Sequence, residues 1–133
     1  MKNLITSTHL RDNGDSTSTY SCELKRDDIT VREFVDAFTR SINRYPDNEF
    51  NEWWASCSMT DNESKEEVAS FTLYSPNLPV DVEMGGRKST IPEILERYGD
   101  YIVKFCRWNG GWGSGHYYLR IQKGEKRNAT EAD

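Results

Sequence analysis

Residues 101–122 read YIVKFCRWNGGWGSGHYYLRIQ, two alternating stretches of apolar and polar side chains that meet at a glycine-rich centre. A period of two is typical of strands that bury one face. We therefore predict a terminal hairpin with strands over residues 101–108 and 116–122. Three side chains of the second strand are expected to face the core: Tyr117, Leu119 and Ile121.

A helix is predicted upstream, over about residues 31–44. Thr30 and Glu33 form a T-x-x-E capping box at its start. Pro46 ends it, because a proline nitrogen cannot donate and its ring disfavours helix at the preceding residue. Apolar side chains at helical spacing form one stripe, namely Val31, Phe34, Val35, Phe38 and Ile42.

Short alternating segments predict the remaining strands. They lie near residues 4–10, 19–25, 50–59, 68–74 and 80–84. A second capping box, at residues 90–93, predicts a short helix over about residues 91–98. Because the helices do not alternate regularly with the strands, we expect an α+β fold. It would hold a mostly antiparallel sheet of about five to seven strands with both helices packed on it.

The composition fits one domain with an aromatic-rich core. The chain has 133 residues, of which 35% are hydrophobic and 12% aromatic. This length is typical of a single domain, and large rings bury much area per residue. We expect residues 1–133 to form one domain, with the polar residues 124–133 frayed at its end.

The sequence shows no features of export or membrane insertion. No apolar run approaches the roughly 20 residues that cross a bilayer, and the first residues lack the apolar segment of a signal peptide. Cys22, Cys57 and Cys106 are odd in number and widely spaced, which favours buried free thiols. These observations predict a soluble, cytoplasmic protein with no membrane partner.

Charge is unevenly distributed along the chain. The net charge is -5, yet residues 101–127 carry six basic side chains against Glu125 alone. Such a segment is typical of a surface for a polar partner. It is equally typical of an end strand whose charges protect a sheet edge.

The segment 108–118 is the most unusual part of the sequence. It combines four glycines with several aromatic side chains, and two arginines flank it. Glycine lets a backbone approach a partner closely, and Trp, Tyr and Arg dominate binding hot spots. The alternative is a hairpin turn whose rings fold back onto the sheet.

A second candidate stretch is Trp53-Trp54, where one ring of the pair is expected to face outward. The acidic residues beside it suit a basic protein partner or a surface that competes with nucleic acid. The alternative is that both rings lie in the core. From both stretches together we predict six partner-binding residues: Trp54, Glu49, Glu52, Arg107, Trp112 and Tyr118.

No catalytic, cofactor or metal motif is recognisable. A strand follows the glycines, whereas phosphate-binding loops need a helix there. Ser114 does not fit G-x-S-x-G, because Trp112 replaces the first glycine. With two histidines in the chain, a His-rich metal site is disfavoured. We therefore predict no catalytic residue, cofactor or metal, and rank acid–base catalysis by His116 low.

Three functions remain, in order of preference. The first is a small non-enzymatic binding protein that occupies a surface of a macromolecular partner, preferably a protein. Small size, acidic bias and the missing catalytic signature suggest a phage or mobile-element inhibitor of a host defence system. The second is a small-ligand or nucleotide-binding, sequestering domain, or a nucleic-acid contact, through the basic residues 101–127. Its ligand-binding residues would be Trp108, His116 and Arg120.

The third function is a hydrolase or transferase that uses His116. A homodimer through an outer strand also stays open, because hairpins at the chain ends leave unpaired sheet edges.

Overall fold

The described residues of the computed structural model form an eight-stranded sheet and two helices. These residues are 3–43, 54–74, 81–84, 87–111 and 114–124. In chain order the elements are β1 (Ile5–Asp12), β2 (Ser18–Leu24), α1 (Val31–Asn43), β3 (Trp54–Asp61), β4 (Glu67–Tyr74), β5 (Asp81–Met84), β6 (Arg87–Ser89), α2 (Ile91–Tyr98), β7 (Ile102–Gly111) and β8 (Ser114–Gln122).

The strand order places the last hairpin in the interior of the sheet. It is β1-β2-β7-β8-β3-β4-β5-β6. Each neighbouring pair is antiparallel except β3 with β8, which run parallel. This contact joins two antiparallel blocks into one sheet. The predicted α+β class, with a mostly antiparallel sheet and two helices, is confirmed, and the described sheet has eight strands where about five to seven were expected.

Both helices begin at the predicted capping boxes. Thr30 Oγ1 accepts the Glu33 N–H at 3.1 Å, and Glu33 Oε1 accepts the Thr30 N–H at 3.4 Å. Thr90 Oγ1 accepts the Glu93 N–H at 3.3 Å. These bonds satisfy N–H groups that have no partner within the first helical turn. Within the described residues, no helix is long and apolar enough to span a bilayer.

Aromatic rings hold α1 on one face of the sheet. Phe34 and Phe38 meet the ring of Tyr117 edge-on, at centroid distances of 5.8 and 5.4 Å. Phe38 also meets Phe71 of β4 at 5.5 Å. Ile94 of α2 is buried in the same core. Because Tyr117 is fully buried, the predicted inward face of β8 is confirmed.

All three cysteines are buried in this core. Burial raises the pKa of the Cys57 thiol well above its ordinary value. The pKa of Cys106 is raised as well, first by its contact with Cys22 and then by burial. Thiols with raised pKa values stay protonated and are poor nucleophiles.

The glycines of segment 108–118 permit close packing. β7 continues to Gly111 and β8 begins at Ser114, so both strands extend into what was expected to be a loop. A Cβ on Gly115 would lie 2.5 Å from Trp108 Nε1. Trp108 is only 4% exposed, so Gly115 makes room for a buried indole on the helix side of the sheet.

Gly115→Ala is expected to lower the free energy of unfolding by about 1–3 kcal/mol, the usual cost of overpacking. The added methyl group meets the buried Trp108 ring, which has to shift. Urea denaturation followed by circular dichroism measures the change.

Trp108→Phe supplies the control, because it removes the indole nitrogen nearest to the new methyl group. In that background, Gly115→Ala should cost less than in the wild-type chain. An equal cost in both backgrounds would contradict the contact between Gly115 and the indole.

Candidate functional site

The sheet face opposite the helices carries the candidate site. On β3, Ala55, Cys57 and Met59 are buried on the helix side, and the alternating Ser56 and Ser58 are partly exposed on the other side. We call this second side the open face. It consists of the side chains of β7, β8, β3, β4 and β5 that point away from α1 and α2.

Four residues of the open face form an arginine–aromatic cluster: Phe105, Arg107, Tyr118 and Arg120. The Arg107 guanidinium lies 5.0 Å from the Tyr118 ring centroid, and the Arg120 guanidinium lies 4.1 Å from the Phe105 centroid. Both stacks join residues that are direct register partners across β7 and β8. Each is worth about 0.5–1 kcal/mol at an exposed site, so the rings hold the guanidinium groups in place while leaving them accessible.

The charges of this cluster are not neutralised within the described structure. No ion pair joins Arg107 or Arg120 to a described carboxylate. The Nε of Arg107 is buried and has no hydrogen-bond partner among the described residues. With Thr60 and Lys65, the cluster surrounds a shallow depression of about 210 Å³. Because these guanidinium groups have no carboxylate partner among the described residues, the depression favours an incoming anionic group.

His116 lies beside the cluster and binds two hydroxyl groups of β3. Its Nδ1 is hydrogen-bonded to Ser56 Oγ, and its Nε2 is hydrogen-bonded to Ser58 Oγ at 2.8 Å. Its ring centroid lies 4.4 Å from that of Tyr118. Burial lowers the pKa of His116, because it disfavours the charged imidazolium. The neutral ring therefore donates to one serine and accepts from the other.

A serine–histidine contact is also the first requirement of nucleophilic catalysis. A catalytic triad needs a third group that orients the histidine, but serines occupy both ring nitrogens of His116. Among the described residues, none of the hydrogen bonds to the ring comes from a carboxylate. The contacts thus hold His116 in place on the open face, and hydrolysis or group transfer by His116 stays a prediction.

An acidic depression lies next to the arginine–aromatic cluster. It has a volume of about 400 Å³ and is bordered by Glu67, Glu83 and His116 together with serine and threonine hydroxyls. Both carboxylates are exposed. The open face is therefore basic over β7 and β8 and acidic over β4 and β5, with the small hydroxyl side chains of β3 between the two halves. Among the described residues, no group of three or more His, Cys, Asp or Glu is placed to hold a metal ion.

The structure brings four of the predicted site residues onto the open face: Arg107, Tyr118, His116 and Arg120. Trp108 instead packs on the helix side against Tyr20, at 4.8 Å between ring centroids. Its position does not support the expected stacking on a ligand. Trp54 begins β3, but its side chain lies outside the described part of the chain, and three further predicted residues lie entirely outside it: Glu49, Glu52 and Trp112.

Several residues of the open face were not predicted as site residues: Ser56, Ser58, Lys65, Glu67, Glu83 and Phe105. The sequence does place Ser56 and Ser58 at alternating polar positions of a predicted strand. Their contact with His116 depends on the parallel pairing of β3 with β8, which joins segments about 60 residues apart and leaves no local sequence signal.

The comparisons with known proteins do not identify a relative. No protein-family model, no curated protein and no solved structure matches the chain. The function is therefore argued from the geometry and charge of the open face alone.

The lowered pKa of His116 predicts a pH dependence of stability. Below its ordinary pKa of 6.5, the unfolded chain takes up a proton more readily than the folded chain. The free energy of unfolding should therefore fall as the pH drops through 6.5, and level off below the folded-state pKa. Urea denaturation at about pH 7.5 and about pH 5.5 measures this fall.

His116→Gln should flatten this dependence, because glutamine does not titrate. His9→Gln is the matched control, since His9 is exposed near the sheet edge and its replacement leaves His116 intact. An undiminished fall in His116→Gln would show that other groups cause the pH dependence.

Proposed function

We propose that this chain is a non-enzymatic binding protein that occupies the surface of a protein partner through the arginine–aromatic cluster of its open face. One observation supports this most directly. The arginine–aromatic cluster presents two guanidinium groups on a face that α1 and α2 leave uncovered, and neither group is paired with a described carboxylate.

The geometry of the cluster favours binding because its charges are held in advance. Arg107 and Arg120 rest on aromatic rings of a sheet rather than on a loop. A side chain that is already restricted loses less entropy when a partner binds. Guanidinium groups recognise carboxylates through two parallel hydrogen bonds, so the partner is expected to present acidic side chains beside an apolar contact for Tyr118.

Inhibition by occupancy requires only a stable fold and a complementary surface. It does not require a titrating group near neutrality or a metal ion. The expectation that the partner belongs to a host defence system, and that the protein serves a phage or mobile element, rests on size and composition and stays a prediction.

A second candidate function is supported by the depression of about 210 Å³. Three cationic side chains, Lys65, Arg107 and Arg120, surround it together with the rings of Phe105 and Tyr118. A nucleotide fits such a site, because its phosphate pairs with cationic side chains and its planar base stacks on aromatic rings. A thermal-shift measurement against a panel of nucleotides separates the two functions, because only nucleotide binding raises the melting temperature of the isolated chain.

Arg120→Ala is expected to abolish or strongly reduce capture of the partner, while loss of its stack on Phe105 lowers the melting temperature by no more than a few degrees. Arg120 is exposed, so its truncation removes binding contacts without opening the core. The measurement is affinity capture from the cells in which the protein is naturally made, with quantitative mass spectrometry of the captured proteins.

Arg97→Ala is the matched control. Arg97 is also exposed and also stacks on a ring, with its guanidinium 5.4 Å from the Tyr98 centroid, but it lies on α2, away from the open face. Equal capture by the Arg120→Ala and wild-type chains would contradict the assignment of the arginine–aromatic cluster as the binding surface.

A further inference from the structure

The open face is complementary to itself in charge, and we infer that it binds a second copy of this chain. Arg107 and Arg120 lie on β7 and β8, whereas Glu67 and Glu83 lie on β4 and β5. The basic and acidic halves therefore flank β3 on opposite sides. A second copy offers an acidic half to the arginines and a basic half to the glutamates.

The strand register fixes how these charges are arranged. One lateral row across the sheet contains, in order, Arg107, Tyr118, Ser58, Ser70 and Glu83. The next row contains, in order, Phe105, Arg120, Thr60 and Glu67. In the segment β7-β8-β3-β4-β5, β3 is the middle strand. In each row, the arginine and the glutamate are therefore the same number of strands away from β3, on opposite sides.

A two-fold axis that runs parallel to β3, midway between two stacked sheets, places each of these arginines opposite a glutamate of the second copy. It exchanges β7 with β5 and β8 with β4, and it leaves every residue in its own row. Arg107 then faces Glu83 of the second copy, and Arg120 faces Glu67 of the second copy. The symmetry repeats both pairs, and the two sheets stack in the aligned manner that twisted sheets prefer.

These charge pairs are better placed to form between copies than within one copy. Neighbouring strands are about 4.8 Å apart, which separates Arg107 from Glu83 by about 19 Å along their row. Arg120 stacks on Phe105, its neighbour on the side away from Glu67. Stacked sheets are about 10 Å apart, a gap that an arginine and a glutamate can span together.

The sizes of the side chains fit the same axis. Tyr118 on β8 faces Ser70 of the second copy on β4, which is a large side chain over a small one. Along the axis itself, Ser58 faces Ser58 of the second copy, so small side chains meet where the sheets approach each other directly. Large over small is the pattern by which packed layers interdigitate.

The interface is small, so the dimer is expected to be weak. A third row contains, in order, Asn109, His116, Ser56, Thr72 and Asp81. Five strands and three rows cover roughly 24 Å by 20 Å of each copy, which is close to the lower limit of a specific interface. Surface charge pairs are screened by salt. Dimerisation should therefore depend on protein concentration and decrease as the salt concentration rises.

This inference goes beyond the proposed function, although both use Arg107 and Arg120. A dimer of this kind covers the arginine–aromatic cluster, so a protein partner and a second copy compete for it. A substitution at Glu67 distinguishes dimerisation from partner binding, because Glu67 belongs to the dimer contact and lies outside the arginine–aromatic cluster.

Sedimentation velocity of the full chain, from low micromolar to several hundred micromolar at low salt, tests the dimer. Arg120→Glu and Glu67→Arg should each raise the dimer dissociation constant by about tenfold or more, because each places like charges opposite one another twice. An equimolar mixture of the two variants should dimerise as the wild-type chain does, since every pair is then attractive again.

Controls keep the result specific to the open face. Circular dichroism and melting curves establish that each variant folds, and the complementary pair Arg107→Glu and Glu83→Arg replaces both variants if either does not. Arg97→Glu, on α2, should dimerise as the wild-type chain does. Glu67→Arg should lose the dimer yet keep partner capture, so failure of the dimer and failure of the proposed function are read separately.

Three outcomes would overturn the inference. They are a wild-type chain that stays monomeric at the highest concentration, a dimer that persists in both single variants, and a mixture that remains monomeric. A dimer that persists in both variants would form through a different surface, such as the edge strand β1.

Discussion

The parallel pairing of β3 with β8 is the contact on which the architecture depends. It extends over eight register pairs, from Trp54 with Ser114 to Asp61 with Ile121. Each of the two antiparallel blocks contains local hairpins, and in the described sheet the pairing of β3 with β8 is the strand contact that joins them. It also places Tyr117 where Phe34 and Phe38 cover it, so the helix-side core and the open face are set by the same register.

The two faces of the paired strands have different chemistry. On the helix side, apolar and aromatic side chains exclude water, and the cysteines are buried among them. On the open face, arginines stack on rings, serines bind His116, and glutamates border the acidic half. A sheet that buries one face and presents the other is the usual result of period-two patterning in antiparallel structure, and here the presented face has separate basic and acidic halves.

Much of this fold could be predicted from short-range sequence patterns. The site could be predicted less well, because its residues meet only when distant segments of the chain pair. The capping boxes at Thr30 and Thr90, the helical stripe of α1 and the inward face of β8 are short-range patterns. The structure confirms them, the stripe from Val31 to Phe38, whereas the side chain of Ile42 lies outside the described part of the chain. Nothing in the sequence near Ser58 specifies that it will contact His116, because that contact requires a parallel pairing of distant segments. Trp108 was predicted as a possible ligand-binding residue, but strand alternation and the missing side chain of Gly115 place it in the core.

The most direct test of the central claim, that β3 and β8 pair in parallel and build one open face, is a nuclear Overhauser measurement on the folded chain. The His116 ring protons should show strong cross-peaks to the β-protons of Ser56 and Ser58, as their hydrogen bonds require. They should show none to the ring protons of Phe71, because that ring packs against Phe38 on the helix side. Cross-peaks from His116 to the Phe71 ring, with none to the two serines, would contradict the account.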